Sequence, residues 1–312
     1  MSDGGAGSAV YEARADIMIL GENPLAVATA VAAVQGTGHR AIGPVGYAGA
    51  SDIIADGAAH MIVLAADAAD GPSLDPLLAA IEQAAEEGRC GGLVLLPLAI
   101  VDRVVGTISN PAIELLCDPT PIELAAALTL QSMRLDRVSD LSGDETRRLR
   151  NLSEEVGRIA KALATLSEET SIGQGFSERR RGYVAEVAVD LVASDEANAT
   201  KAEEVRRLIR ARRLRARFFD GELFADPAWD MLLDLAAARL EGAPVAVSSL
   251  CIAAAVPPTT ALRWIRMMSE QGLFVRTADP MDGRRVYIEL SDHVAQAMAA
   301  YLSSLRQVGL FS

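Results

Sequence analysis

Cysteine and histidine are both scarce in this chain. Cys90, Cys117 and Cys251 are its only cysteines, far apart and without CxxC spacing or neighbouring histidines. Neither a zinc site nor a disulfide framework is therefore indicated, and a reducing compartment is expected. The three histidines, His39, His60 and His293, are scattered without a partnered nucleophile. No glycine-rich phosphate loop follows the first apolar run, where GENPLA lacks the spaced glycines a dinucleotide needs. No uninterrupted apolar stretch reaches the ~18 residues of a membrane span. The opening MSDGGAGSAVYEARAD has no basic start followed by an apolar run. The expectation is a soluble cytoplasmic protein that is not an enzyme and uses no cofactor, metal site or membrane.

What is present is enough apolar material for two cores. Half of the 312 residues are hydrophobic, and a chain of this length suggests about two domains. The net charge of −13 looks wrong for a nucleic-acid binder until it is divided along the chain. Residues 1–140 hold 6 basic and 18 acidic side chains, residues 141–204 hold 9 and 13, and residues 205–312 hold 14 and 11. A basic balance confined to the last third is what phosphate binding requires, while the acidic front would repel DNA.

From Asp16 to Leu130, short apolar runs alternate with helical segments, the pattern of a parallel sheet with crossover helices. Strands are predicted at Ile17–Leu20, Ala41–Pro44, Met61–Ala65, Gly92–Leu96 and Ala112–Leu116, and helices at Leu25–Gln35 and Leu74–Glu87. The continuous apolar runs MIVLA and LVLL suit a sheet buried on both faces. The reading is a five-stranded doubly wound α/β domain.

This stretch, closing on ELLCDPTPIELAAAL, resembles the receiver domain of two-component response regulators over roughly residues 14–130. The resemblance implies an acidic cluster after the first strand, an aspartate nucleophile ending the third, a hydroxyl residue ending the fourth and a lysine before proline ending the fifth. Here the first strand leads into Gly21, Glu22 and Asn23, the third ends at Ala65, the fourth runs into Pro97, and Asp118 precedes Pro119. Without a carboxylate at Ala65 there is no nucleophile, and Asp118 would repel a phosphoryl group. Asp67, two residues on, reads as a solvated loop acid, and Glu22 alone is a weak metal ligand. The domain remains as a scaffold for dimerisation, signal input or a protein partner.

Beyond it, Leu149, Leu152, Val156, Ile159, Leu163 and Leu166 fall at alternating steps of three and four, three heptads of a and d positions. The seam is narrower than the stripe a helix uses to join a globular core. Parallel coiled-coil dimerisation is the favoured reading, a helix packed on its own domain the other. TSIGQGFSERRRG then loses periodicity and reads as a linker.

Arg206, Arg207, Arg210, Arg212, Arg213, Arg215 and Arg217 crowd the next helical stretch, too many for one face. Further on, Ser248 can cap a short helix through Ala255, Pro257 and Pro258 suit a turn and a first helical position, and a second helix runs from Thr259 to Gln271 before Gly272. Two short helices across a tight turn make a helix-turn-helix. Ala261, Leu262, Ile265 and Met268 point inward, leaving Thr259, Thr260, Arg263 and Arg266 outside, the residue types that dock in a major groove. Strands LFVRT and RRVYIEL follow as a hairpin with Arg284 and Arg285 at its tip, suited to the minor groove.

The stretch from GLF through DPMDGRRVYIELSD resembles the winged helix of MarR-family regulators, over residues 215–305. By residue match the resemblance implies that Asp282 organises the wing turn and that Arg284 or Arg285 reaches DNA. The organisation expected is a flexible terminus over 1–13, a receiver-like domain over 14–133, a coiled-coil dimerisation helix over 134–169, a linker over 170–204 and a winged helix-turn-helix domain over 205–312. The function expected is a homodimeric transcription regulator binding double-stranded DNA; the alternative is a signalling adaptor that uses both domains for protein contacts.

Overall fold

The computed structural model describes residues 15–57, 60–71, 73–139, 195–219, 224–282 and 285–308. The heptad positions Leu149, Leu152, Val156, Ile159, Leu163 and Leu166, and Arg284, lie outside the described residues. Described residues up to Ser132 and from Asp195 onward belong to one compact unit.

Five strands, β1 (Asp16–Gly21), β2 (Arg40–Val45), β3 (Met61–Ala65), β4 (Gly91–Leu96) and β5 (Ile113–Cys117), form a parallel sheet in the order β2-β1-β3-β4-β5. The crossovers are α1 (Pro24–Gly36), α2 (Tyr47–Ala55), α3 (Leu74–Glu86) and α4 (Val101–Thr107), and α5 (Pro121–Ser139) follows β5. Every residue of β3 and β4 is buried, as continuous apolar strands in a sheet covered on both sides must be. Leu20, Leu64 and Val94 share one apolar cluster with α2, α3 and α4. Ile19 and Val63 are equally buried but belong to the opposite side of the pleat, as do Val27, Ala30 and Val34 of α1. Asn23 starts α1 by accepting the amide of Leu25 on its side-chain oxygen at 2.9 Å, with Pro24 at the first helical position.

The C-terminal part begins earlier than the sequence suggested. Helix α6 (Asp195–Leu214) crosses the expected boundary at 204 and 205, and Ala202, Val205 and Ile209 of it are buried. They are spaced by three and four residues, so a single apolar stripe holds a helix that is otherwise arginine-rich. Helix α7 (Pro227–Glu241) packs against it, capped by Asp226 and ended by Gly242 in the left-handed conformation. Two shorter helices, α8 (Val247–Ala253) and α9 (Pro258–Glu270), an antiparallel hairpin of β6 (Phe274–Ala278) and β7 (Val286–Leu290), and α10 (Asp292–Gln307) complete the unit. Trp229 sits edge-on to Tyr301 at 5.0 Å, a packing role rather than a stacking platform. The apolar cluster is continuous from the sheet through Val101 and Val104 of α4 into Val247 and Leu250 of α8. No helix among the described residues is long and apolar enough to cross a membrane.

The sheet tolerates little change at Gly92. A Cβ built there would lie 2.0 Å from the carbonyl oxygen of Ile62 and 2.9 Å from its Cγ1. Gly92→Ala should therefore cost at least about 2 kcal/mol of stability, at or above the upper part of the range for overpacked cores. Urea denaturation would measure this, with Gly36→Ala as the control, since no atom lies within 4 Å of a Cβ there.

Candidate functional site

Doubly wound sheets bind ligands where the strand order reverses, here at the C-terminal ends of β1 and β3. That place is filled by the chain itself. Glu22 Oε1 accepts the Tyr47 amide at 2.8 Å, the side-chain amide of Asn23 donates to Asp67, and Asp67 Oδ1 accepts the Ala69 amide at 2.9 Å. The Tyr47 hydroxyl donates to Asp70, whose carboxylate also accepts the Asp67 amide. The Ala69 amide, then Asn23, hold the Asp67 carboxyl below the usual range. Burial and the Asp70 carboxylate raise the Tyr47 hydroxyl well above its ordinary value. At the end of β5, Asp118 Oδ2 accepts the Leu98 amide at 3.4 Å. Asp67 is thus tied into a loop network rather than simply solvated.

Three of the residues singled out for DNA, Thr259, Arg263 and Arg266, lie elsewhere, along the free edge of β5. Thr259 Oγ1 accepts the Cys117 amide at 2.9 Å and donates to the Cys117 carbonyl at 3.1 Å. One turn on, Arg263 grips the Glu114 carboxylate through Nε at 2.9 Å and through Nη2. Arg266 Nη2 donates to the Ile113 carbonyl at 2.9 Å. Positions 259, 263 and 266 stand at i, i+4 and i+7, one stripe of a helix, and that stripe lies on the sheet edge. Thr259, expected outside, is only 4% exposed. The helical period correctly separated this stripe from the inward residues Ala261, Leu262, Ile265 and Met268, but a period cannot say whether a second surface covers the stripe. Thr260 is half-buried beside it.

Three further contacts tie the two halves together, and none was read from the sequence. Ser248 gives both its amide, at 2.8 Å, and its hydroxyl, at 2.6 Å, to the Asp102 carboxylate. It is therefore not the cap of α8, whose N-cap is Ala246 without a side-chain bond. Asp102, in the first turn of α4, takes the serine because that helix end faces α8. Arg276 of β6 donates to the Val105 carbonyl. The only sequence signal was a cation or a hydroxyl on an otherwise amphipathic element.

At the hairpin turn, Asp282 accepts the Arg285 amide on its carbonyl at 2.9 Å, and its carboxylate stands 3.8 Å from the Arg285 guanidinium. Asp279 shares the organising role. It accepts the Met281 amide at 2.8 Å and the Tyr287 hydroxyl at 2.7 Å. The arginines of α6 are largely structural: Arg206 engages Glu241 and Asp234, Arg212 engages Asp230 at 2.9 Å, and Arg213 donates to the Ala253 carbonyl at 3.1 Å.

No family model, curated protein or solved structure matches the chain. The functional reading therefore rests on residues and geometry alone.

Thr259→Val should leave the Cys117 amide and carbonyl buried without partners, costing about 1–3 kcal/mol. Thr259→Ser should recover most of that loss, with denaturant midpoints as the measurement. The hairpin should respond to pH from both sides. The Met281 amide, then Tyr287, hold the Asp279 carboxyl below the ordinary 3.8. Its contribution is thus full above that value and lost as pH falls through the lowered one. Tyr287 is raised above its ordinary 10.0, chiefly by the bond to Asp279, so the same bond is full below 10 and lost as pH rises past the raised value. Amide exchange at Met281 should accelerate beyond its intrinsic pH dependence at both extremes, and Tyr287→Phe should abolish the alkaline arm alone.

Proposed function

We propose that the protein is a DNA-binding transcription regulator that acts as a dimer, and that the arrangement described above is its closed form, with the DNA-reading helix resting on its own α/β domain. One observation carries the reading. Helices α8 and α9 meet across four residues and are followed by the β6–β7 hairpin and a closing helix, the order of a winged helix-turn-helix. In such a unit the second helix enters the major groove and the hairpin can approach the minor groove. Thr260, Arg263 and Arg266 lie on that helix and Arg285 beside the hairpin turn, residue types that position phosphates and read base edges.

The closed form supports a regulated binder. Glu114 presents to Arg263 the negative charge that a DNA phosphate would present, with its Oε1 taking both guanidinium bonds. The acidic α/β domain thus competes with DNA for the same helix face. The contacts that close it are of kinds worth about 0.5–3 kcal/mol each. A balance of that size is within reach of a DNA site or a protein partner, since about 5.5 kcal/mol carries a two-state equilibrium from one form almost wholly to the other. The heptad seam from Leu149 to Leu166 supplies the dimer in this reading, and the receiver-like domain takes the input.

Selection from a pool of random DNA duplexes, repeated across a salt series, is the test. An inverted repeat should be enriched, with affinity falling steeply as salt rises. Asp102→Ala combined with Glu114→Ala should open the protein and tighten binding by about tenfold, while Thr260→Ala and Arg285→Ala should weaken it. Absence of enrichment for both the native and the opened protein would replace this reading with an adaptor that uses the same surfaces for protein contacts.

A further inference from the structure

Helix α4 has 7 residues, about two turns, too few to be stable alone in water. Its place is therefore set by what it touches, and it is gripped from two sides. On one side Arg103 reaches the loop between β3 and α3. Its Nε meets Asp75 Oδ1 at 2.5 Å, its Nη1 donates to the Asp70 carbonyl at 2.9 Å and its Nη2 to the Gly71 carbonyl at 2.8 Å. On the other side Asp102 takes the amide and the hydroxyl of Ser248 in α8, and the Val105 carbonyl takes the Arg276 guanidinium of β6. Val101 and Val104 between them are wholly buried, so α4 moves as one packed piece.

The loop that Arg103 holds also fills the crevice at the reversal of strand order. Asp70 belongs to both networks: its carboxylate accepts the Tyr47 hydroxyl and the Asp67 amide, while its carbonyl accepts Arg103. Hydrogen bonds and the single peptide between Asp102 and Arg103 connect the crevice to α8 without a gap. The two side chains leave one helix about 100° apart, and hydrogen bonds of this length fail within about an ångström of stretching. A shift of α4 that frees Arg103 therefore disturbs Asp102 as well. Arg89 makes the same kinds of bond, to the carbonyls of Ile54 and Ala55 and the carboxylate of Glu87. It precedes β4, however, at the end of the sheet away from Asp70 and Asp102.

We propose that Arg103 is a positioning residue through which the loop after β3 controls the grip of Asp102 on Ser248. With Asp70 held between Tyr47 and Arg103, α4 stays where it can hold α8; loss of either bond to Asp70 loosens α8 from the α/β domain. Coupling is reciprocal, so release of Ser248 loosens the loop in turn. The consequence for DNA rests on the regulator reading above; the coupling within the chain does not.

Amide hydrogen exchange on the full chain reads both ends, because the Ser248 amide is held by Asp102 and the Asp67 amide by Asp70. Arg103→Gln should speed exchange at Ser248 at least about fivefold, the lower end of ordinary coupling between sites. Tyr47→Phe, which removes only a hydroxyl, should speed it in the same direction, and Ser248→Ala should speed exchange at Asp67. Each rate is taken relative to the amides of β3, which separates local release from a general loss of stability. Arg89→Gln should leave Ser248 unchanged on that scale. Circular dichroism establishes that each variant is folded, and where Arg103→Gln is not, Tyr47→Phe and Ser248→Ala decide the matter. Unchanged exchange at Ser248 in folded Arg103→Gln or Tyr47→Phe, equal acceleration by Arg89→Gln, or unchanged exchange at Asp67 in Ser248→Ala would each overturn the proposal. Binding of the enriched duplex separates the two readings. Arg103→Gln should bind it about fivefold more tightly if both hold, whereas accelerated exchange in a protein that binds no duplex leaves the coupling standing and removes the regulator.

Discussion

The outer strand of a parallel sheet carries a row of amides and carbonyls with no neighbouring strand to take them, and the arrangement of this protein follows from how β5 meets that constraint. The Thr259 hydroxyl serves both backbone groups of Cys117, and the Arg266 guanidinium takes the carbonyl of Ile113. A helix thus stands where a sixth strand would have been. Once α9 lies there, α8 is brought onto α4, Ser248 reaches Asp102, and the apolar surfaces of Val101, Val104, Val247 and Leu250 close into one core. Buried backbone groups without partners cost about 1–3 kcal/mol each, so this covering is energetically substantial as well as geometric.

The same constraint separates the two places where chemistry could occur. At the reversal of strand order, where a doubly wound sheet ordinarily holds its ligand, Glu22, Asn23, Asp67 and Asp70 bond to one another's amides and to Tyr47. The crevice is used up in holding its own loops. Interaction capacity has moved to the sheet's edge, where Glu114, Asp102 and the carbonyls of Val105 and Ile113 face arginines and a serine of the C-terminal part. An acidic domain and a more basic one share a chain whose net charge of −13 hides the division, and the boundary between them is where opposite charges meet.

Much of the fold was legible because its signals are local. Met61–Ala65 is a strand with the expected ends, and the other four strands begin and end within one residue of expectation, since a short apolar run bounded by polar residues leaves few alternatives. Pro258 opens α9 and Gly272, with φ of +70°, follows its end, each for the backbone reason that made it readable. The start of α6 was missed because its first seven residues, DEANATK, carry no apolar stripe, which begins only with Ala202, Val205 and Ile209. Ser248 was misread as a cap because a serine before an apolar run satisfies that pattern whether or not its hydroxyl is spent on its own helix.

The amino-acid sequence by itself determined the parallel sheet, its strand limits, the pair of short helices, the hairpin and the segregation of charge, because each depends on neighbours within a few residues or on side-chain period. Tertiary structure decided what those elements face. Thr259, Arg263 and Arg266 were identifiable as one stripe and Glu114 and Asp102 as acids on another element, yet their pairing spans about 150 residues of chain. A helical period specifies which side chains share a face; only the packing of the whole chain specifies which surface covers that face.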